Sequence, residues 1–202
     1  DVYKRQEDIN LTINTENFGV YSKALKLNGH SVGTEKINGK EKLKFTDGTL
    51  DLGGSKILVD GDLLQSGGTL YIDGGELDVT GDYYLAGSRW IGDDGAEKVE
   101  GTYSALLKMI KEKDVVKVGK NFLTNSAQNH TNQLTAGTMY IAGNFTEKYY
   151  SADTNNYCNF NTTGTHQVVF NGNKKQQIRF EKPDYSLSLI HISEPTRLAL
   201  IS

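Results

Sequence analysis

The chain of 202 residues carries 22 Lys+Arg against 25 Asp+Glu, a formal net charge of −3. That mild acidity argues against a nucleic-acid partner, which needs a clustered basic face, and no apolar run approaches the roughly 18 residues of a membrane-spanning helix. A single cysteine, Cys158, excludes an internal disulfide, and 22 glycines with two prolines suit a many-turned β protein.

The chain opens on DVYKRQ (Asp1–Gln6) and closes on a stretch beginning LSLIHISEPTR (Leu187–Arg197). Both resemble translated transposase sequencing adapter, so neither is read as structure. The expected division is 1–6 adapter-derived, 7–186 an internal fragment of a longer gene product, and 187–202 adapter-derived. Setting aside Asp1, Lys4, Arg5, Glu194 and Arg197 moves the net charge from −3 to −4. His191, Pro195 and the apolar run Leu187–Ile192 are expected to carry no functional information.

Ile9, Leu11 and Ile13 alternate as a half-buried strand does. Leu25–Gly29 reads as strand and turn, and shorter strands follow at Ile37–Gly39 and Leu43–Phe45. The repeat then becomes regular. Gly48–Gly67 and Gly68–Gly87 align without a gap at a period of 20 residues. Leu50 meets Leu70, Leu52 meets Ile72, Ile57 meets Leu77 and Val59 meets Val79. Within each copy the apolar residues alternate, so Leu50, Leu52, Ile57 and Val59 point to one side. A fixed period of this size is the mark of a repeat architecture.

One short motif recurs five times: Ile57–Asp62, Leu77–Asp82, Val116–Asn121, Met139–Asn144 and Val168–Asn173. Each reads apolar, any, apolar, any, usually Gly, then Asp or Asn. The pattern predicts a strand entering a turn, with Gly61, Gly81, Gly143 and Gly172 where the backbone bends or approaches closely. Asp62, Asp82, Asn121, Asn144 and Asn173 are expected to stack as a corner column, because Asp and Asn bond readily to nearby backbone.

Ala86–Ser104 breaks the period and reads as a loop or side hairpin. Ala105–Lys113 (ALLKMIKEK) holds good helix formers, yet its flanking copies are strands, so a strand is expected. The spacing lengthens to 23 residues from Val118 to Ile141 and to 29 from Ile141 to Phe170. Extra loop is placed at Asn125–Asn132 and Thr146–Asn161, and Gln176–Phe180 forms the last strand.

The expected fold is all-β: strands of period two inside this repeat point to a parallel β-helix (β-solenoid) of about 20 residues per regular coil. The five residues Val59, Val79, Val118, Ile141 and Phe170 should form one continuous spine. The phrases at Gly67–Tyr83, Leu134–Thr146 and Gly164–Phe180 resemble the Gly-rich right-handed parallel β-helix repeats of large bacterial secreted and cell-surface proteins. The resemblance covers about Leu25–Pro183. It implies a single-stranded right-handed parallel β-helix in an extracellular or cell-surface setting, and it supplies no catalytic motif.

Chemistry is sparse. Asp60, Asp62, Asp73, Asp78 and Asp82 are the candidate carboxylates for a polysaccharide-cleaving site, against their reading as a solvated corner. His30, His130 and His166 lack metal-ligand spacing and read as polar surface or turn residues, and Cys158 as a free thiol. No catalytic residue, metal ligand or cofactor is assigned. Tyr71, Tyr84 and Tyr140 alternate with core positions and should face solvent. With Trp90 they are the candidate ligand contacts, for a glycan or a surface protein. The functional expectation is a non-catalytic structural or adhesive repeat segment. The alternative is a fragment of a β-helical carbohydrate-active enzyme, a polysaccharide lyase or hydrolase.

Overall fold

The computed structural model describes residues 11–13, 24–26, 32–34, 41–45, 48–148, 159–181 and 192–193. For the strands before Phe45, for 192–193, and for Arg89 and Trp90 the description is of backbone alone. Cys158, His30 and the strand expected at Ile37–Gly39 lie outside the described residues.

The chain enters with β1 (Leu11–Ile13) and then runs in trios of strands. The first trio is β2 (Ala24–Lys26), β3 (Val32–Thr34) and β4 (Glu41–Phe45). The second is β5 (Thr49–Asp51), β6 (Lys56–Val59) and β7 (Asp62–Gln65), and the third is β8 (Thr69–Tyr71), β9 (Glu76–Val79) and β10 (Tyr83–Leu85). A pair, β11 (Ser88–Ile91) and β12 (Glu97–Glu100), interrupts. The trios resume with β13 (Leu106–Lys108), β14 (Val115–Val118) and β15 (Phe122–Thr124). Then follow β16 (Thr138–Ile141), β17 (Phe145–Glu147), β18 (Gln167–Phe170), β19 (Ile178–Phe180) and the two-residue β20 (Ile192–Ser193).

Each member of a trio joins a different sheet. The first sheet is β2-β5-β8-β13, the second β1-β3-β6-β9-β14-β16-β18-β20, and the third β4-β7-β10-β15-β17-β19. Strands neighbouring in these sheets pair in parallel, so each strand lies beside its counterpart from the trio before and the trio after. Single parallel bridges from Met109 to Leu134 and from Leu134 to Thr162 extend the first sheet's line where no full strand forms. The described residues contain no helix.

The register sets like on like. Val59 pairs with Val79, Val79 with Val118, Val118 with Ile141, and Ile141 with Phe170. All five are buried, and all belong to one hydrophobic cluster shared by the three sheets. The third sheet adds an aromatic row. Tyr83 meets Phe122 at 5.3 Å between ring centroids, Phe122 meets Phe145 at 5.7 Å, and Phe145 meets Phe180 at 5.7 Å. Full burial of one such side chain contributes roughly 1.5–3 kcal/mol, and it is achieved only when the neighbouring trio is present.

The corner column holds, with one correction. Asp62 Oδ1 accepts the Asp82 N–H, Asp82 Oδ1 the Asn121 N–H, and Asn121 Oδ1 the Asn144 N–H, each at 2.8 Å. Asn144 Oδ1 then accepts from Gln177, not from the expected Asn173. The corner between β18 and β19 is longer: Phe145 pairs with Ile178, which leaves Asn173–Gln176 outside the column. Gln176 tucks its side chain back instead, accepting from the Gly172 N–H and donating to Ile141 O. Beside the column, a Cβ on Gly143 would stand 2.7 Å from Asn121 Oδ1. Only glycine lets the two levels come that close.

Ala86–Ser104 resolves as an antiparallel hairpin with Ser88 opposite Glu100 and Ile91 opposite Glu97. Ala105–Lys113 yields strand β13, and Ala105, Leu107 and Met109 are fully buried. Asn125–Asn132 holds no strand, as its reading as an added loop expects, but the loop is tucked in. Asn125, Ser126, Ala127 and His130 are all buried, and Thr102 bridges Ser126 in parallel.

Candidate functional site

Alternation in the second sheet sends every other side chain outward. Along one outward row the register runs Leu58, Asp78, Lys117, Tyr140, Val169. Lys56 and Glu76 begin the row beside it. Glu76 Oε1 receives Lys117 Nζ at 2.7 Å and Lys56 Nζ at 2.9 Å, and Lys56 also lies 3.6 Å from Asp78. Lys117 first, then Lys56, holds the Glu76 carboxyl below the usual carboxylate range. Two ammonium groups and two carboxylates thus neutralise one another. Next to them is a hollow of about 280 Å³ lined by Asp78, Lys117, Val118, Gly119, Tyr140, Ala142 and Asn171.

The outward row of the first sheet is Asp51, Tyr71, Lys108. Lys108 Nζ sits 4.5 Å above the centre of the Tyr71 ring, a cation–π contact. Burial first, then the hydrogen bond to Asp73, pushes the Tyr71 hydroxyl up to about 12. Asp73 is itself 2.5 Å from Lys111 Nζ, which keeps its carboxyl low. Tyr71 therefore has its ring and its hydroxyl both engaged within the chain.

Tyr84 does not face solvent as expected. It is 4% exposed and packs with Leu64 and Ala86, and Val99 of the hairpin and Leu123 of the neighbouring strand pack against them. Its hydroxyl donates to Glu97 Oε1 at 2.9 Å. The side chain does point away from the main core, but the β11–β12 hairpin folds back over it. Trp90 lies on that hairpin, with its side chain outside the description. Of the four candidate contacts, Tyr140 stands in an open hollow.

The candidate carboxylates scatter. Asp62 and Asp82 serve the corner column, Asp60 accepts from the Thr80 hydroxyl at 3.3 Å, Asp73 pairs with Lys111, and Asp78 faces Lys56. Among the described residues no group of three His, Cys, Asp or Glu is placed to hold a metal ion.

Several polar residues escaped the reading of the sequence. Asp114 is fully buried and accepts from Gly74, Ile110 and Lys111 backbone N–H groups, stitching two levels. His130, expected at the surface, is fully buried. Its Nε2 accepts the Leu107 N–H at 3.1 Å, which assigns the proton to Nδ1, donating to Gln128 O at 3.0 Å. Burial pushes that imidazole down to about 4, so the ring stays neutral. His166 is likewise 2% exposed, with Nδ1 on Ala136 O. Both rings replace a backbone partner where a long connection leaves the sheets, a role that carries no sequence spacing. Glu147 occupies an inward position of β17, paired in register with Thr124 and Phe180. It is 1% exposed, and burial pushes its carboxyl up to about 8.

Compared with known proteins, the chain matches no family model, no curated protein and no solved structure.

Proposed function

We propose that this chain is a stretch of single-stranded right-handed parallel β-helix, a β-solenoid wound at the period of its sequence repeat. In this reading it is a non-catalytic structural or adhesive repeat segment of a bacterial secreted or cell-surface protein. It acts by extending, displaying and binding, with a glycan or a surface protein as partner.

The observation that carries the reading is the unbroken parallel register through Val59, Val79, Val118, Ile141 and Phe170. A strand that always lies beside its own counterpart one trio later is what a wound chain produces. The polar groups support the non-catalytic half. Asp62 and Asp82 each commit an oxygen to the next level's backbone, and Glu76 is held between two lysines. A glycan-cleaving site instead needs a pair of carboxylates in distinct protonation states flanking a bond. The secreted setting and the bacterial source rest on the resemblance of the repeats.

The test is paired. The protein is screened on a glycan array for binding and incubated with a polysaccharide panel for new reducing ends or unsaturated products. Retention without product is the expected result. Product formation would replace this reading with the carbohydrate-active enzyme.

A further inference from the structure

We propose that the hollow beside Tyr140 is a binding subsite for a single ring of a neutral glycan, an inference that rests on the adhesive half of the function proposed above. Three features of the hollow point to that ligand class. The first is unspent hydrogen-bonding capacity. Neither the Tyr140 hydroxyl nor the Asn171 side-chain amide bonds to another described residue. The equivalent groups elsewhere are spent: the Tyr71 hydroxyl on Asp73, the Tyr84 hydroxyl on Glu97, the Asn144 side chain on Gln177. Lys117 directs one contact at Glu76 and keeps further N–H donors for a ligand. Donors and acceptors mixed around one hollow suit a polyhydroxylated ring, whose hydroxyls both give and receive.

The second feature is charge. Lys56, Glu76, Asp78 and Lys117 sum to zero and are interleaved within a few ångströms. An anionic sugar or a cationic amine would meet as much repulsion as attraction there, whereas a neutral ring meets none. The third is shape. The Tyr140 ring is half-buried and Ala142 stands next to it. Together they give an apolar wall for the C–H face of a sugar, with polar groups at its rim. A hollow of about 280 Å³ is at the small end for ligand sites, so it takes one ring. It also lies on the face of the sheet. Its strands β14 and β16 are paired on both sides, so no backbone edge is open there to an extended peptide.

The experiment is saturation-transfer NMR on the full chain with neutral methyl glycosides, hexosides and N-acetylhexosaminides. Wild type is compared with Tyr140→Ala, Tyr140→Phe, Asn171→Ala and, as control, Tyr71→Ala. Thermal unfolding is followed for each, because Tyr140 is outward and its loss should leave the fold intact. The expected result is transfer to at least one glycoside with millimolar affinity. Tyr140→Ala and Asn171→Ala weaken it tenfold or more, Tyr140→Phe weakens it a few fold, and Tyr71→Ala leaves it unchanged. Absence of transfer from wild type, or transfer undiminished in a folded Tyr140→Ala protein, overturns the subsite. In that second case array binding without product still upholds the adhesive reading, so the two proposals fail separately.

Discussion

Glu147 is the residue whose chemistry the surroundings change most visibly. Its carboxyl is favoured in the protonated form because burial penalises the anion. A carboxyl whose folded pKa lies above its unfolded one contributes fully below the unfolded value, about 4.5, and loses that contribution as pH rises to about 8. The buried histidines act in the opposite sense. Their folded values lie below 6.5, so their contribution is complete above that pH and lost as pH falls. Between pH 7 and 8, with the imidazoles largely neutral in both states, Glu147 is thus the main one of the three that titrates, and it is expected to cost about 1 kcal/mol there. Urea unfolding across this window should show stability falling in wild type and staying flat in Glu147→Gln. A slope that persists in Glu147→Gln would show that another group drives it.

The corner column makes a second prediction at this scale. Asp82 Oδ1 accepts both the backbone N–H and the side-chain amide of Asn121. Asp82→Ala should cost about 1 kcal/mol, the net worth of a hydrogen bond of this kind. Asp82→Asn keeps the acceptor for the backbone N–H and should cost a few tenths. Equal losses in the two variants would mean that the oxygen contributes nothing and the position is only solvated.

At the scale of the element, the corners and the hairpin decide most. Gly143 lies against the backbone of Lys120 and the side chain of Asn121. Gly143→Ala would force the two levels apart, an overpacking cost of about 1–3 kcal/mol, read as a lower unfolding midpoint. The hairpin β11–β12 covers Leu64, Tyr84, Ala86 and Leu123 on the outside of the third sheet. Replacing residues 88–100 with a short Gly-Ser link should leave the three sheets folded and expose that patch. The expected readout is increased binding of a hydrophobic dye with far-ultraviolet dichroism preserved. Loss of the dichroism would show that the hairpin supports the stack and does not merely cover it.

Strands of period two and their order were legible because the alternation in Leu50–Leu52 and Ile57–Val59 returns at a fixed interval, and parallel stacking needs nothing more. The strand at Leu106–Lys108 was legible for the same reason, since its neighbours outweigh its helix propensity. The closing of the hairpin over Tyr84 was not, because alternation gives the side of a sheet and not what lies beyond it. His130, His166, Asp114 and Glu147 were hidden for a related reason. Each is buried by a non-repeating connection or a single inward position, where no neighbouring copy predicts the residue. The site was legible only as a set of outward aromatics. What separates Tyr140 from Tyr71 is the company of Lys108, Asp73 and Asn171, which spacing alone does not reveal.

For the whole molecule, the β-solenoid proposed above makes stability a sum over neighbouring levels, with every level borrowing its core from the next. That account depends on outward residues one level apart standing one sheet spacing apart. Leu58 and Val169 are joined through Asp78, Lys117 and Tyr140 in register, four steps along the second sheet. At about 4.8 Å per step they should lie roughly 19 Å apart. Nitroxide labels on Leu58→Cys and Val169→Cys, in a Cys158→Ser background, allow that distance to be measured by double electron–electron resonance. A single narrow distribution centred close to that separation is predicted; a broad or split distribution, or one centred well beyond it by more than the reach of the two label arms, would contradict the stacking.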